Sequence, residues 1–149
     1  AAGPVAGVPV LAHPGAARLQ EPQAGGRVLV LDGAHNVPAI RAFLETWDSS
    51  PFARRDAVFI VGMLADKDVD GMLDLLASRA RRAVAVRADS PRALGSEELA
   101  RRMKSRGMEV FAQAENARDA IKAWEADGAR TAALCGSFYL VGDALKVLR

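Results

Sequence analysis

Three stretches of this 149-residue chain close an apolar run with polar residues of the kinds that do chemistry. Residues 28–31 run into Asp32-Gly33-Ala34-His35-Asn36, residues 57–61 are soon followed by Asp66-Lys67-Asp68, and residues 131–135 end at Gly136-Ser137. An acid at a strand end, beside a helix amino terminus, suits a pair of ribose hydroxyls. A lysine ammonium and a serine hydroxyl suit a carboxylate. Each signal also has a plainer reading. Asp32 fits a helix cap equally well, and His35 a satisfied histidine at the rim. Lys67 between two aspartates fits an exposed local ion pair, and Gly136-Ser137 a tight turn with an N-cap. Together the three point to a site, because parallel strands deliver their carboxyl ends to one edge.

The elements that would position them follow from periodicity. After Asp32, a helix starts near Pro38 and carries Ile40, Phe43, Leu44 and Trp47 at i, i+3, i+4 and i+7. Val69, Met72, Leu73 and Leu76 make a second apolar stripe. Ser96 is expected to cap a third helix, with Glu97 and Glu98 in its first turn, Leu99 and Met103 inward, and Gly107 at its end. Ala117, Ala120, Ile121 and Trp124 mark a fourth, stopped by Gly128, and Leu140, Val141, Leu145 and Leu148 a fifth. Strands are expected at 28–31, 57–61, 83–86, 108–111 and 131–135. Residues 18–21 are expected to add an antiparallel edge strand through a Gly25-Gly26 hairpin. Strands that are continuous apolar runs, alternating with helices, predict an α/β fold. The predicted form is a Rossmann-like, doubly wound and mostly parallel sheet, with about five parallel strands, one antiparallel edge strand and helices on both faces. The Ala-, Gly- and Pro-rich residues 1–17 read as a linker or extended arm, and residues 18–149 as one domain.

Composition narrows the function. Lys and Arg total 20 against 18 Asp and Glu, leaving a net charge of +2, and no aromatic residues interleave with the arginine runs at 79–82 and 101–106. No nucleic-acid surface is expected from this pattern. No apolar stretch reaches the length of a membrane span, and the first residues lack a basic signal-peptide start. A single cysteine, Cys135, forms no internal disulfide. A soluble cytoplasmic monomer is the expectation. There is no Gly-x-x-x-x-Gly-Lys-Ser/Thr phosphate loop, no Gly-x-Gly-x-x-Gly after the first strand and no Gly-x-Ser-x-Gly elbow. Two histidines and one cysteine, far apart, give no metal site of known spacing. What remains resembles half of an active site.

Leu31-Asp32-Gly33-Ala34-His35-Asn36, Gly62-Met63-Leu64-Ala65-Asp66-Lys67-Asp68 and Cys135-Gly136-Ser137-Phe138-Tyr139-Leu140-Val141-Gly142 resemble, in order and spacing, three signatures of the folylpolyglutamate synthases, which include bifunctional dihydrofolate synthases. The resemblance covers roughly residues 14–149 and points to the carboxy-terminal domain shared with the Mur ligases. It implies an ATP-dependent ligase that phosphorylates a pteroate or folate carboxylate and joins glutamate to it. The phosphate loop and most Mg2+ ligands would lie in an amino-terminal domain, the expected partner, so the domain alone is expected to be inactive. In the resemblance, Asp32 holds the ATP ribose and Arg18 reaches the phosphates. His35, Asn36, Lys67 and Ser137 stand on the glutamate side. Two alternatives remain open at this point: another Mur-type amino-acid ligase, or a stand-alone module that binds a nucleotide or partner.

Overall fold

A computed structural model describes residues 10–13, 26–54 and 56–148. They form a six-stranded sheet in the order β1-β2-β6-β3-β4-β5, and every pairing in it is parallel. The strands are β1 (Val10–His13), β2 (Val28–Asp32), β3 (Val58–Val61), β4 (Arg82–Val86), β5 (Glu109–Ala114) and β6 (Thr131–Cys135). Each strand from β2 onward runs into a helix: α1 (Val37–Asp48), α2 (Val69–Leu76), α3 (Ser96–Lys104), α4 (Ala117–Asp127) and α5 (Phe138–Val147). The Rossmann-like arrangement expected from the alternating pattern is therefore present.

The two faces of the sheet are sorted by the two-residue period of a strand. Val28 and Val30 of β2, Phe59 and Val61 of β3, and Ala133 and Cys135 of β6 turn to the face covered by α1, α2 and α3. Leu29, Leu31, Val58, Ile60, Ala132 and Leu134 turn to the face covered by α4 and α5. On the first face Phe59 meets Trp47 and Phe43 at ring-centroid distances of 5.2 and 6.4 Å, which adds about 0.5–1.5 kcal/mol per pair beyond area burial. The helix stripes read from the sequence are the buried ones in α1, α2 and α4. Gly128, at φ 87°, ends α4 in the left-handed conformation that a side chain disfavours.

Four expectations are corrected. The edge strand is parallel, not antiparallel, and comes from Val10–His13, inside the arm expected over 1–17. Fourteen residues separate β1 from β2 along the chain, which meets the dozen or so that a parallel connection needs. The strand expected at 18–21 lies outside the described residues. Ser96 is the first helical residue of α3 rather than its cap, a place held by Gly95. Its hydroxyl instead donates to the Glu115 carboxylate at 2.7 Å. In α5 the buried line is Leu140 and Ala144, continued by the C-cap Leu148, and Leu145 is exposed. Steps of four keep side chains on one face of a helix, whereas the step of five from Leu140 to Leu145 rotates away from it. The fourth predicted strand, 108–111, also continues to Ala114. A register shift between Ala83 and Val84 lets β5 follow β4 to its end.

Candidate functional site

The strand order brings the three polar stretches together. β6 lies between β2 and β3, so the ends carrying Asp32, Ser137 and the Lys67 loop are neighbours at one edge. From β2 the chain leaves to the α1 face, and from β6 it leaves to the α5 face. A crevice opens where adjacent strands diverge in this way, and open α/β sheets bind ligands there.

Asp32 ends β2 and is only 2 % exposed. Its Oδ1 accepts from the Ala34 amide at 2.7 Å. The cap of α1 is a different residue: Asn36 Oδ1 accepts from the Ala39 amide at 2.8 Å. Asp32 is thus a buried acid that does not cap the helix. His35 Nδ1 lies 3.1 Å from the Gly33 carbonyl oxygen. A carbonyl only accepts, so Nδ1 is the donor of this bond and Nε2 is the ring nitrogen turned away from it.

Ser137 is 1 % exposed and caps α5, its Oγ accepting from the Tyr139 amide at 3.0 Å. That leaves the hydroxyl hydrogen available to donate. Gly136, at φ 112°, makes this turn, and a Cβ there would collide with the Gly62 carbonyl oxygen. Strands β3 and β6 approach so closely at their ends that only glycine fits. The next residue, Phe138, is a large apolar side chain left 64 % exposed. Its ring stands 4.6 Å from that of His35 and over Gly33, where a Cβ would run into it. Asp32, Gly33, His35, Ala39 and Phe138 line a hollow of about 190 Å³, polar at the Asp32 floor and apolar on its walls.

Lys67 occupies the turn before α2, half-buried. Neither neighbouring aspartate pairs with it. Asp66 binds Arg92 at 2.8 Å, and Asp68 caps α2 by accepting from the Gly71 amide at 2.9 Å. Arg18 lies outside the described residues. Among the described residues no group of three or more His, Cys, Asp and Glu could hold a metal ion. Cys135 is fully enclosed, and burial, aided by the Asp32 charge, pushes its thiol far up. It is an inert core residue at neutral pH.

Two contributors escape sequence reasoning. Phe138 appears there only within a motif, although an aromatic residue directly after a strand-end Gly-Ser is a readable signal. Arg92 follows Ser90-Pro91, which reads only as a turn, and its link to the Lys67 loop is a tertiary fact.

Residues 17–138 match the family described as Mur ligase, glutamate ligase domain. Over 117 residues the chain is 37 % identical to the dihydrofolate synthase/folylpolyglutamate synthase of Mycobacterium tuberculosis, a match covering 78 % of this chain and 23 % of that protein. Among solved structures, the M. tuberculosis folylpolyglutamate synthase complexed with ADP and AMPPCP superposes with a TM-score of 0.70 at 32 % identity, over 80 % of this chain and 29 % of that one. The Thermotoga maritima folylpolyglutamate synthase gives a TM-score of 0.70 at 26 % identity, covering 80 % and 27 %. A bifunctional folylpolyglutamate synthase/dihydrofolate synthase with Mn, AMPPNP and L-glutamate bound gives 0.62 at 26 %, covering 82 % and 29 %. The chain therefore spans less than a third of the length of these relatives. With a parallel sheet whose carboxyl edge gathers Asp32, His35, Lys67 and Ser137, and a family match over most of its length, this chain belongs to the Mur ligase glutamate ligase domain family.

Proposed function

We propose that this chain is the carboxy-terminal domain of an ATP-dependent dihydrofolate synthase/folylpolyglutamate synthase, one that adds L-glutamate to a pteroate or folate carboxyl group. The observation that carries this reading is the juxtaposition of a buried acid, Asp32, with Lys67 and Ser137 at the ends of three adjacent strands. The relatives solved with ADP and AMPPCP, and with AMPPNP, Mn and L-glutamate, support it.

In this reading the nucleotide sugar sits over Asp32, whose carboxylate accepts from ribose hydroxyls, with the base against Phe138. Arg18 reaches the phosphates. Lys67 and the Ser137 hydroxyl donate to a glutamate carboxylate, and His35 and the Asn36 Nδ2 amide complete that side. The glutamate amine attacks the acyl phosphate carbon. A C–N bond forms, the C–O bond to phosphate breaks, phosphate departs with its electron pair, and the amine loses a proton. Positioning the amine in line accounts for this domain's share of the rate.

The phosphate-binding loop missing from this sequence is assigned to an amino-terminal domain of the same enzyme. Most Mg2+ ligands are assigned there as well, as the resemblance to the folylpolyglutamate synthases implies. Residues 18–149 form the domain, residues 1–17 connect it, and Val10–His13 of that arm complete the sheet edge. No described helix is long and apolar enough to cross a membrane. A cytoplasmic monomer that needs its amino-terminal domain for activity completes the proposal.

The test is ADP release by the full-length protein with ATP, L-glutamate and either dihydropteroate or a folate. Release that requires all three is expected. Turnover with a muramyl acceptor and with neither pterin substrate would overturn the assignment in favour of another Mur-type ligase. Nucleotide binding with no acceptor-dependent turnover would reduce it to a binding module.

A further inference from the structure

The loop that carries Lys67 is held from a strand that adds nothing to the hollow. After β4 the chain passes through residues 87–95, which clasp residues 63–66 in a short antiparallel contact between Leu64 and Ala93. The Ala65 amide donates to the Arg92 carbonyl at 2.8 Å, and the Leu94 amide donates to the Met63 carbonyl at 2.9 Å. Ser90, itself buried, braces the clasp. Its Oγ accepts from the Arg92 amide at 3.1 Å, and its carbonyl accepts from the Ala93 amide at 3.0 Å. On this fixed backbone the Arg92 guanidinium donates to the Asp66 carboxylate at 2.8 Å.

The consequence falls on Lys67. A lysine flanked by two aspartates is in danger of being neutralised by its own neighbours. Asp68 is committed to the Gly71 amide and Asp66 to Arg92. Among the described residues no hydrogen bond or ion pair engages the Lys67 ammonium. The Arg92 and Asp66 side chains are about half exposed, at 52 % and 51 %, so their pair adds little to stability. Its effect is to decide which cation the Asp66 carboxylate occupies. A planar guanidinium held by a clasped backbone loses less freedom per hydrogen bond than a flexible ammonium, so it wins that competition.

We propose that Arg92 is a positioning residue: it draws the Asp66 carboxylate aside and so keeps the Lys67 ammonium open for an anionic substrate group. That the group is the glutamate carboxylate rests on the function proposed above.

The experiment compares Arg92→Ala, Asp66→Asn and the double variant Arg92→Ala/Asp66→Asn in the full-length protein. All three break the same ion pair, so a merely structural role makes them alike. With Arg92 acting as proposed, only Arg92→Ala leaves a free carboxylate to close on Lys67. KM for glutamate then rises roughly tenfold, the scale of one lost charge-assisted hydrogen bond, while KM for ATP and the unfolding midpoint hold. The double variant returns KM for glutamate to within about twofold of the parent.

A second readout needs no substrate. Acetylation of Lys67 by acetic anhydride, followed by mass spectrometry, slows in Arg92→Ala alone and recovers in the double variant. Equal behaviour of the three variants, or parental acetylation in Arg92→Ala, overturns the role of Arg92. The expected acetylation pattern in a protein without glutamate-dependent turnover upholds that role and overturns the ligase reading instead.

Discussion

At the amino-terminal edge of the sheet, Arg82 is gripped by Asp127 through two bonds of 2.6 and 2.8 Å and by Glu109 at 2.8 Å, with the Phe111 ring beneath it at 4.7 Å. Close by, Arg27 lies 3.8 Å from Glu125 and over the Trp124 ring, and Arg79 binds Asp48 at 2.6 Å. At the carboxyl-terminal edge the polar groups are treated differently. Asp32, Asn36, Asp68 and Ser137 each accept from a backbone amide of their own turn, Lys67 has no carboxylate partner among the described residues, and Phe138 faces solvent. Charges that satisfy one another close strand starts and helix ends. At the carboxyl-terminal edge backbone amides rather than opposite charges fix Asp32, Asn36, Asp68 and Ser137. The two edges are made of similar residue types, so function here is a matter of what each polar group is bonded to rather than how many there are.

The comparison breaks most severely at Gly136. Gly136→Ala places a methyl against the Gly62 carbonyl and forces a side chain into positive φ. A loss of at least about 3 kcal/mol is expected in denaturant unfolding, and a loss under about 1 kcal/mol would mean that the β3–β6 approach is looser than described.

Next comes Asp32→Ala in the full-length protein. Nucleotide affinity by calorimetry should fall roughly ten- to hundredfold as a buried hydrogen-bonding carboxylate is lost, with the fold intact by circular dichroism. Unchanged affinity would remove Asp32 from the ribose.

Arg82→Ala attacks the opposite edge. A loss of about 1–3 kcal/mol is expected, with KM values for all substrates preserved. A KM change without a stability change would erase the distinction between the edges. The pH dependence sharpens the same point. The Arg82 guanidinium holds the Asp127 carboxyl below its ordinary value of 3.8. The stabilisation from this shift is complete above that value and is lost as pH falls through the lower folded-state value. Parental stability should therefore drop over this acid range, with a shallower slope in Arg82→Ala.

The smallest effect belongs to Arg101, whose exposed pair with Glu98 lies three residues away on one helix. Hydrogen bonds from Arg101 and Arg102 lower the Glu98 carboxyl to about 2, yet Arg101→Ala should leave the denaturant-unfolding midpoint at the parental value, because solvent screens the pair. A clear drop in that midpoint would show that the α3 surface network matters more than its exposure implies.

Much of this architecture is legible in residue spacing alone. The stripe Ile40, Phe43, Leu44 and Trp47 and the stripe Ala117, Ala120, Ile121 and Trp124 follow from their periodicity and are the buried faces of α1 and α4. Leu145 misleads, because hydrophobicity says that a residue can be buried while helix geometry says whether it is. Ser96 misleads for another reason. Serine before Glu97 and Glu98 has the composition of a cap, but its hydroxyl finds Glu115, nineteen positions away, which no local rule contains. The edge strand shows a similar limit, since a Gly-Gly pair advertises a hairpin regardless of whether the neighbouring strand is free to accept one.

By itself the sequence determined the series of strands and helices, the identity of the buried stripes and the placement of Asp32, Lys67 and Ser137 at strand ends, because each of these depends on residues within a few positions of one another. Only the tertiary structure decided that β6 inserts between β2 and β3, so that Ser137 stands between Asp32 and Lys67. It also decided that Asn36 rather than Asp32 caps α1, that Phe138 leans on His35, and that Arg92 takes up Asp66. Strand order and side-chain partnership are set by how whole faces pack and by which donor reaches an acceptor first in space, and residues distant along the chain settle both.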